Sequence, residues 1–544
     1  MKRKNLLTLI ALVLVLSASS QAVWEQHRSE VYNYLYRMAQ KGIIDFNDNI
    51  RPLSRIYIGQ CLDSLQAHET LLSPTEKKEL LFYKQEFSDE TVNGQDVTDT
   101  RFFRKDTAGR WRALEIRSKD FMLRADPIIT AATIQGNGKD IRQYSSGFKL
   151  YGYAGKRWAW YFSFNDINEK GTGLDTLRAN SPVTGISGRI AENKKSVNFS
   201  ELRGGISYSW KNGSVSFGQD YLLWGYGENG RMVLSDKAPT YPYIRLDYRP
   251  LPWLKFNYTH AWLKSNILDS ARSYPTGSTP YGGMREFYIS KFMASHSLQV
   301  TPVKGLDITF GESMVYSDRL DIGYLIPVLF FKAYDNLVNN DNINAGSNGQ
   351  LFAQVSSRNH IRNTHLYTTL FIDEIRIATI FDSKKSRNQV GINIGGSVTD
   401  LLVPYLTIGA EYTRINPFVY RNLIPAQNYT HSGYVLGDWM GNNADRLLFT
   451  LKYTPVARLK CALQYQYTRK GGAGTLDQQY FQQPQPPFLF DLNYTRSEWY
   501  TTVSYEWINN LTLNAAFSNS RFNDKQLNQK RTDNIFSIGV SYGL

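Results

Sequence analysis

The sequence predicts a mainly β protein, an antiparallel β-barrel of about 18 strands that follows an N-terminal three-helix bundle. Three observations predict it. From about residue 98 the apolar pattern keeps a period of two to the end of the chain, short turns alternate with long polar loops, and aromatic residues, 14% of the 544, gather near strand ends. Charged residues make up only 20%, too few for a coiled coil, and the aromatic content excludes disorder. Mean hydropathy is -0.40, and past residue 22 no apolar run approaches the roughly 20 residues of a membrane-spanning helix. Cys61 and Cys461 stand too far apart for a disulfide framework and read as incidental buried thiols.

Residues 1–22 read as a signal peptide. Lys2, Arg3 and Lys4 precede the apolar stretch Leu6 to Leu16, and Ser20-Gln21-Ala22 gives the small-x-small pattern of a cleavage site, so the mature chain is expected to start at Val23. No cysteine follows that stretch, so no lipid attachment is expected. Loss of the three cations leaves a formal net charge of +11, which favours anionic partners at a surface and, outside the cytoplasm, not nucleic acid.

Residues 23–90 carry the helical period. Val31, Leu35 and Met38 define the first helix, with Gly42 as its stop; Ile58, Leu62 and Leu65 define the second, after Pro52. Ser73-Pro74-Thr75-Glu76 announces the third, with a capping serine, a proline at the first helical position and a glutamate that returns the hydrogen bond. Leu80, Tyr83 and Phe87 share its face.

The barrel spans 98–544. Leu459, Cys461, Leu463, Tyr465 and Tyr467 take one face of a strand and Lys460, Ala462, Gln464 and Gln466 the other; Leu447 to Tyr453, Trp499 to Trp507 and Trp158 to Phe164 alternate likewise. Turn chemistry marks one rim at Lys211-Asn212-Gly213, Pro250-Leu251-Pro252, Pro302 to Gly305, Pro455-Val456-Ala457 and Asn509-Asn510. Long polar connections lie near 166–200, 264–283, 318–350, 414–444 and 468–496. Short turns on one rim, long loops on the other and aromatic-ended strands of roughly ten residues are the pattern of an outer-membrane barrel. Phe536, Ile538, Val540, Tyr542 and Leu544 alternate to the last residue and look like the terminal signal read by the barrel-insertion machinery. The count runs from 18 to 20, because 98–132 and 372–386 are ambiguous, and closure requires an even number.

Several stretches resemble the capsule assembly Wzi family: Arg37-Met38-Ala39-Gln40-Lys41-Gly42-Ile43-Ile44, Arg51-Pro52-Leu53-Ser54-Arg55, Gly218 to Gly227, Leu234 to Pro239 and Phe371-Ile372-Asp373-Glu374. The aromatic-rich style is similar to the Bacteroidetes branch. What the resemblance implies is an 18-stranded outer-membrane barrel with a periplasmic helical bundle, a lectin-like, non-enzymatic anchor for capsular or other surface polysaccharide. The expected partners are that polysaccharide, outer-membrane lipids and lipopolysaccharide, and the insertion machinery; no cofactor is expected. The Arg51 to Arg55 stretch also resembles a surface-layer homology module, and this second resemblance implies a head that tethers the barrel to the cell wall.

Asp220 to Arg231 is the most informative stretch for binding, with Gln219 before it. Tyr221, Trp224 and Tyr226 offer flat faces to sugar rings, Gln219 and Asp220 can bond hydroxyls, Arg231 can pair with an acidic sugar, and Gly225, Gly227 and Gly230 permit close approach. Strand counting back from Leu544 assigns this connection to the long-loop, extracellular side. The competing reading places its aromatics in the aromatic girdle or a packed loop core. Basic residues Arg189, Lys194, Lys195, Lys384, Lys385 and Arg387 could meet acidic polysaccharide or lipopolysaccharide phosphates, or form a solvated rim. His360 and His365 make a poor metal pair, because a spacing of five on a strand sends them to opposite faces. An anion-tolerant pore and an outer-membrane esterase or lipase are the other functions weighed; no Gly-x-Ser-x-Gly elbow supports the latter.

Overall fold

The computed structural model describes residues 21–87, 98–106, 109–191, 193–277, 282–339, 346–375, 381–382, 385 and 387–543. Most of the expected signal peptide, Lys384 and Leu544 lie outside the described residues. Eighteen antiparallel strands close a barrel, the first (Phe121–Gly136) meeting the last (Gln529–Tyr542) through Ile129 to Gln135 against Phe536 to Tyr542. The ambiguity near residue 98 has a physical source. A hairpin, Asp99–Lys105 and Trp111–Arg117, pairs with Met122 to Ala125, the part of the first strand that the last strand does not reach, and so adds strands without enlarging the wall.

Period-two faces sort as alternation requires. Leu447, Phe449, Leu451, Trp499, Val503 and Trp507 are exposed on the outside, while Lys460 bonds Glu79 and Gln466 bonds Asn229 within. Cys61 is buried, but Cys461 stands half-exposed on the outward face, a correction to the reading of both thiols as buried.

Three helices, α1 (Val31–Gln40), α2 (Arg55–Ala67) and α3 (Pro74–Phe87), share one apolar core containing Leu35, Met38, Ile58, Leu62, Leu80 and Phe87. Gly42 at φ +73 takes the left-handed position after α1, and Ile43 N bonds back to Met38 O at 3.1 Å. The capping box at α3 forms as the sequence predicts: Ser73 N donates to Glu76 Oε2 at 2.6 Å, and Glu76 N to Ser73 Oγ at 3.3 Å.

The helices sit at the short-turn rim. Gln40 Nε2 donates to Asn363 O and Ser397 O at 2.9 and 2.8 Å, and Arg37 Nε to Thr399 Oγ1 at 3.0 Å. Between α1 and α2 the two-residue strand Ile50–Arg51 enters the lumen and pairs with Leu223–Trp224. The stretch that resembles a surface-layer module is used internally: Arg55 pairs with Glu25 and Glu86, and Pro52 O accepts from Arg245 at 3.0 Å.

Carboxylates fasten the head to the wall. Glu76 takes Arg37 at 2.5 Å and Lys41 at 2.6 Å, and Asp400, in a short turn, takes both cations as well. Burial opposes ionisation of Glu76 and Asp400, yet Arg37 and Lys41 hold both carboxyls below their usual values; Asp48 is held down in the same way by Arg358 and Arg51. A carboxyl depressed on folding stabilises the joint above its unfolded pKa of about 4 and loses that contribution as pH falls through the lower folded value. The helices are therefore expected to stay docked from pH 7 to about 4 and to become protease-sensitive only below it, ahead of wall unfolding on a heat-modifiability gel. Release already at about pH 6 would refute the assignment.

Two long connections, 221–240 and 416–443, fold inward and build a core inside the barrel from Leu222, Trp224, Met232, Tyr420, Tyr429 and Trp439, with Ile50 contributed by the head. Away from this plug, inward-facing Tyr500 and Asn514 are exposed to solvent. The connection after Leu306–Ser317 goes elsewhere. A turn at Ile322–Leu325 and α4 (Phe331–Asn339) lie against the outside of the wall, with Tyr324 and Phe331 over Tyr258, Phe292, Met314 and Tyr316.

Candidate functional site

The site begins where the wall strand Gly213–Asp220 ends early. Gln219 pairs with Gly204 halfway along Ser196–Trp210, so the connection departs at mid-height and has only the lumen to enter. The connection 221–240 joins the long-loop ends of its strands, the side strand counting assigns it to, and from there runs inward.

Its residues divide into framework and lining. Asp220 is fully buried, accepting from Arg203 Nε and Nη2 at 2.6 and 2.9 Å and from Tyr161 Oη at 3.0 Å. Gln219 Nε2 donates to Thr240 Oγ1 at 3.1 Å, and Tyr221 Oη to Glu201 at 2.6 Å. Trp224, 1% exposed, stands edge-on to Phe352 with ring centres 6.0 Å apart, so neither face is open to a sugar. Gly225, at φ +96, lets the chain turn beside Gln354, whose amide an added Cβ would meet at 2.5 Å.

Tyr226 and Arg231 reach a cavity of about 290 Å³ between α1 and the plug. Arg231 Nη1 donates to Gly225 O at 2.5 Å and forms no ion pair among the described residues; the Tyr226 ring packs edge-on against His365 at 5.0 Å. Burial, reinforced by Arg51, brings Arg231 down to about 10. Lys237 in the same cavity is brought down to about 8 by burial, and its ammonium is held by the carbonyls of Arg178, Ser181 and Val183. Lys452 pairs with Glu228 at 2.6 Å, and Arg28 with Asp236 at 3.2 Å. Burial keeps His27, beside Asp236, below its ordinary value.

Those three carbonyls belong to the connection 173–195, whose other side forms an outer cleft of about 680 Å³ against the inner faces of the last three strands. Here Arg496 reaches Ser520 Oγ at 2.8 Å and Glu498 at 2.5 Å, Arg178 reaches Glu169 at 2.9 Å, and Arg531 pairs with Asp533 at 3.0 Å. The Arg531 guanidinium lies 5.0 Å above the Phe522 ring, which packs on Tyr494 at 4.9 Å. Such a surface combines an aromatic ring, charged donors and hydroxyls, the group types that recognise sugar rings and acidic substituents.

Sequence reasoning missed this cleft. Its signal was the run of inward charges Arg496, Glu498, Arg531 and Asp533 on strands whose outer faces are apolar. Of the basic residues singled out, Arg189, Lys194 and Lys195 are exposed, whereas Arg387 is buried against Glu374 at 3.4 Å and is structural. His365 faces inward, bonding Ser356 at 2.8 Å, and His360 lies in the turn before the strand starts at Thr364. Among the described residues no group of three His, Cys, Asp or Glu could hold a metal ion.

The family model of capsule assembly protein Wzi matches residues 126–535. Wzi of Escherichia coli, described as an outer membrane protein involved in group 1 capsule assembly and a carbohydrate-binding β-barrel, matches in structure with a TM-score of 0.60 and 13% identity, over 96% of this chain and 100% of that one. OccK3 of Pseudomonas aeruginosa matches with a TM-score of 0.41 and 13% identity, over 77% of this chain and 95% of its own. OccAB4 of Acinetobacter baumannii matches at 0.43 and 10%, over 77% and 97%. No curated protein matches the sequence.

Proposed function

The chain belongs to the capsule assembly Wzi family, and from that premise we propose that it is an outer-membrane barrel that binds capsular or other surface polysaccharide without chemical turnover. The long-loop rim faces the cell exterior and the helices face the periplasm. The observation that carries the reading is the outer cleft beside the long-loop rim, lined by Phe522 and the cations Arg178, Arg496 and Arg531. Stacking and charge-assisted hydrogen bonds, repeated along a polymer, give avidity from weak single contacts. Within this reading Tyr226 and Arg231 serve an acidic substituent that reaches the inner cavity, while Gln219, Asp220, Tyr221 and Trp224 hold the loop that presents them.

Purified wild-type barrel is expected to bind the capsular polysaccharide of its own organism in a salt-sensitive manner. Phe522→Ala and Arg531→Ala should each weaken binding roughly two- to ten-fold, the worth of one aromatic or exposed charged contact, with the thermal midpoint unchanged. Undiminished binding in both variants would remove the cleft; absence of binding by the wild type would remove the function.

A further inference from the structure

The geometry points to the segment 318–339 as a strap embedded in the outer leaflet of the membrane, its outer face covered by lipid acyl chains. The argument starts from register. Val215, Leu246, Tyr258, His296, Glu312 and Leu351 are successive partners across six adjacent strands. All six point outward, as do their exposed neighbours Phe217, Leu298 and Phe310. A row that should face lipid is thus interrupted by a glutamate and a histidine. An intramembrane ionisable residue is costly unless it is paired and covered.

Both are covered. Glu312 Oε1 accepts from Phe331 N at 2.6 Å and Oε2 from Lys332 N at 3.3 Å, so the carboxylate caps the first turn of α4. His296 Nε2 lies 3.1 Å from the same carboxylate, and its Nδ1 donates to Pro327 O at 2.9 Å. Tyr258 Oη donates to Tyr324 O at 2.8 Å, and Tyr324 Oη to Asp335 at 2.9 Å. These polar groups of the strap point at the wall, while Asp318, Arg319, Lys332 and Asn336 are exposed.

Its apolar groups point away. Ile322, Val328 and Leu337 are 75%, 80% and 79% exposed, with Ile326 and Phe330 beside them. On an aqueous loop this would be a large uncovered patch; here it continues the wall's own outward belt, where Leu298, Phe310, Leu351 and Val355 are exposed. The occupant that covers the belt covers the strap.

The inference rests on the membrane placement proposed above, and one control separates the two. In full-length protein carrying Cys61→Ser and Cys461→Ser, single cysteines are introduced by Ile322→Cys, Val328→Cys or Leu337→Cys, with Phe310→Cys for the belt and Asn137→Cys for an exposed loop tip. Each is labelled with an environment-sensitive fluorophore and reconstituted into phosphatidylcholine vesicles with brominated acyl chains. The strap positions and residue 310 are expected to lose half or more of their fluorescence to bromolipid and little to aqueous iodide, with the opposite at 137. Quenching of the strap labels by iodide overturns the inference, and protection from both quenchers overturns it in favour of a protein cover. Failure of residue 310 to be quenched refutes the membrane placement itself.

Discussion

Trp224→Ala is expected to destabilise the plug by about 3–5 kcal/mol, the usual cost of truncating a buried tryptophan. The ring is 1% exposed within the luminal core, and its backbone is paired on both sides, with Ile50 and with Leu234. The surrounding side chains come from the plug, the head and the wall, so the lost volume cannot close by movement of one element. The variant should show protease cleavage in 221–240 and a lower unfolding midpoint, while the wall still runs as a folded barrel on a gel. A tryptophan serving as an open sugar platform gives the reverse: unchanged stability and reduced polysaccharide per folded molecule. Measuring both in the same cells decides between them.

Arg446→Ala should be comparably severe. Arg446 is wholly buried on the wall strand Ala444–Tyr453 and holds Glu411 at 3.2 Å and Asp438 at 3.1 Å. Glu411 accepts from Glu228 N at 2.9 Å and Tyr367 Oη at 2.8 Å, so one guanidinium joins the wall to both plug connections. Its removal strands two carboxylates away from water, which costs about 3–5 kcal/mol. The triple variant Arg446→Met, Glu411→Gln, Asp438→Asn is expected to recover most of that loss in urea unfolding. If Arg446→Ala alone unfolds like the wild type, the plug is not held by this ion group.

The legible parts of the fold are those written in local pattern. The Ser73 to Glu76 cap and the alternation of Leu447 to Tyr453 each follow from residues within one helical turn or one strand, and both stand in the structure. Strand number was less legible, because the Asp99–Lys105 hairpin has the same alternation as the wall and differs only in what it pairs with. The site was least legible. Polar connections of similar length fold inward at 221–240 and outward over the wall at 318–339, and nothing in their composition separates the two paths. The early exit at Asp220 and the capping by Glu312 decide them, and both are long-range contacts. Glu312 does leave a trace, as the one charge among Phe310, Met314 and Tyr316 on an otherwise apolar face.

The small ladder between Ile50–Arg51 and Leu223–Trp224 makes the plug's edge depend on the head. Gly225 N donates to Asn49 O at 2.8 Å, so the plug's edge has unmet donors and acceptors until the head arrives from the opposite rim. A barrel that closes before its helices dock holds an unfinished interior, prone to proteolysis, and one that has both is sealed by the same few bonds. The ladder thus makes completion of the plug conditional on the presence of the head.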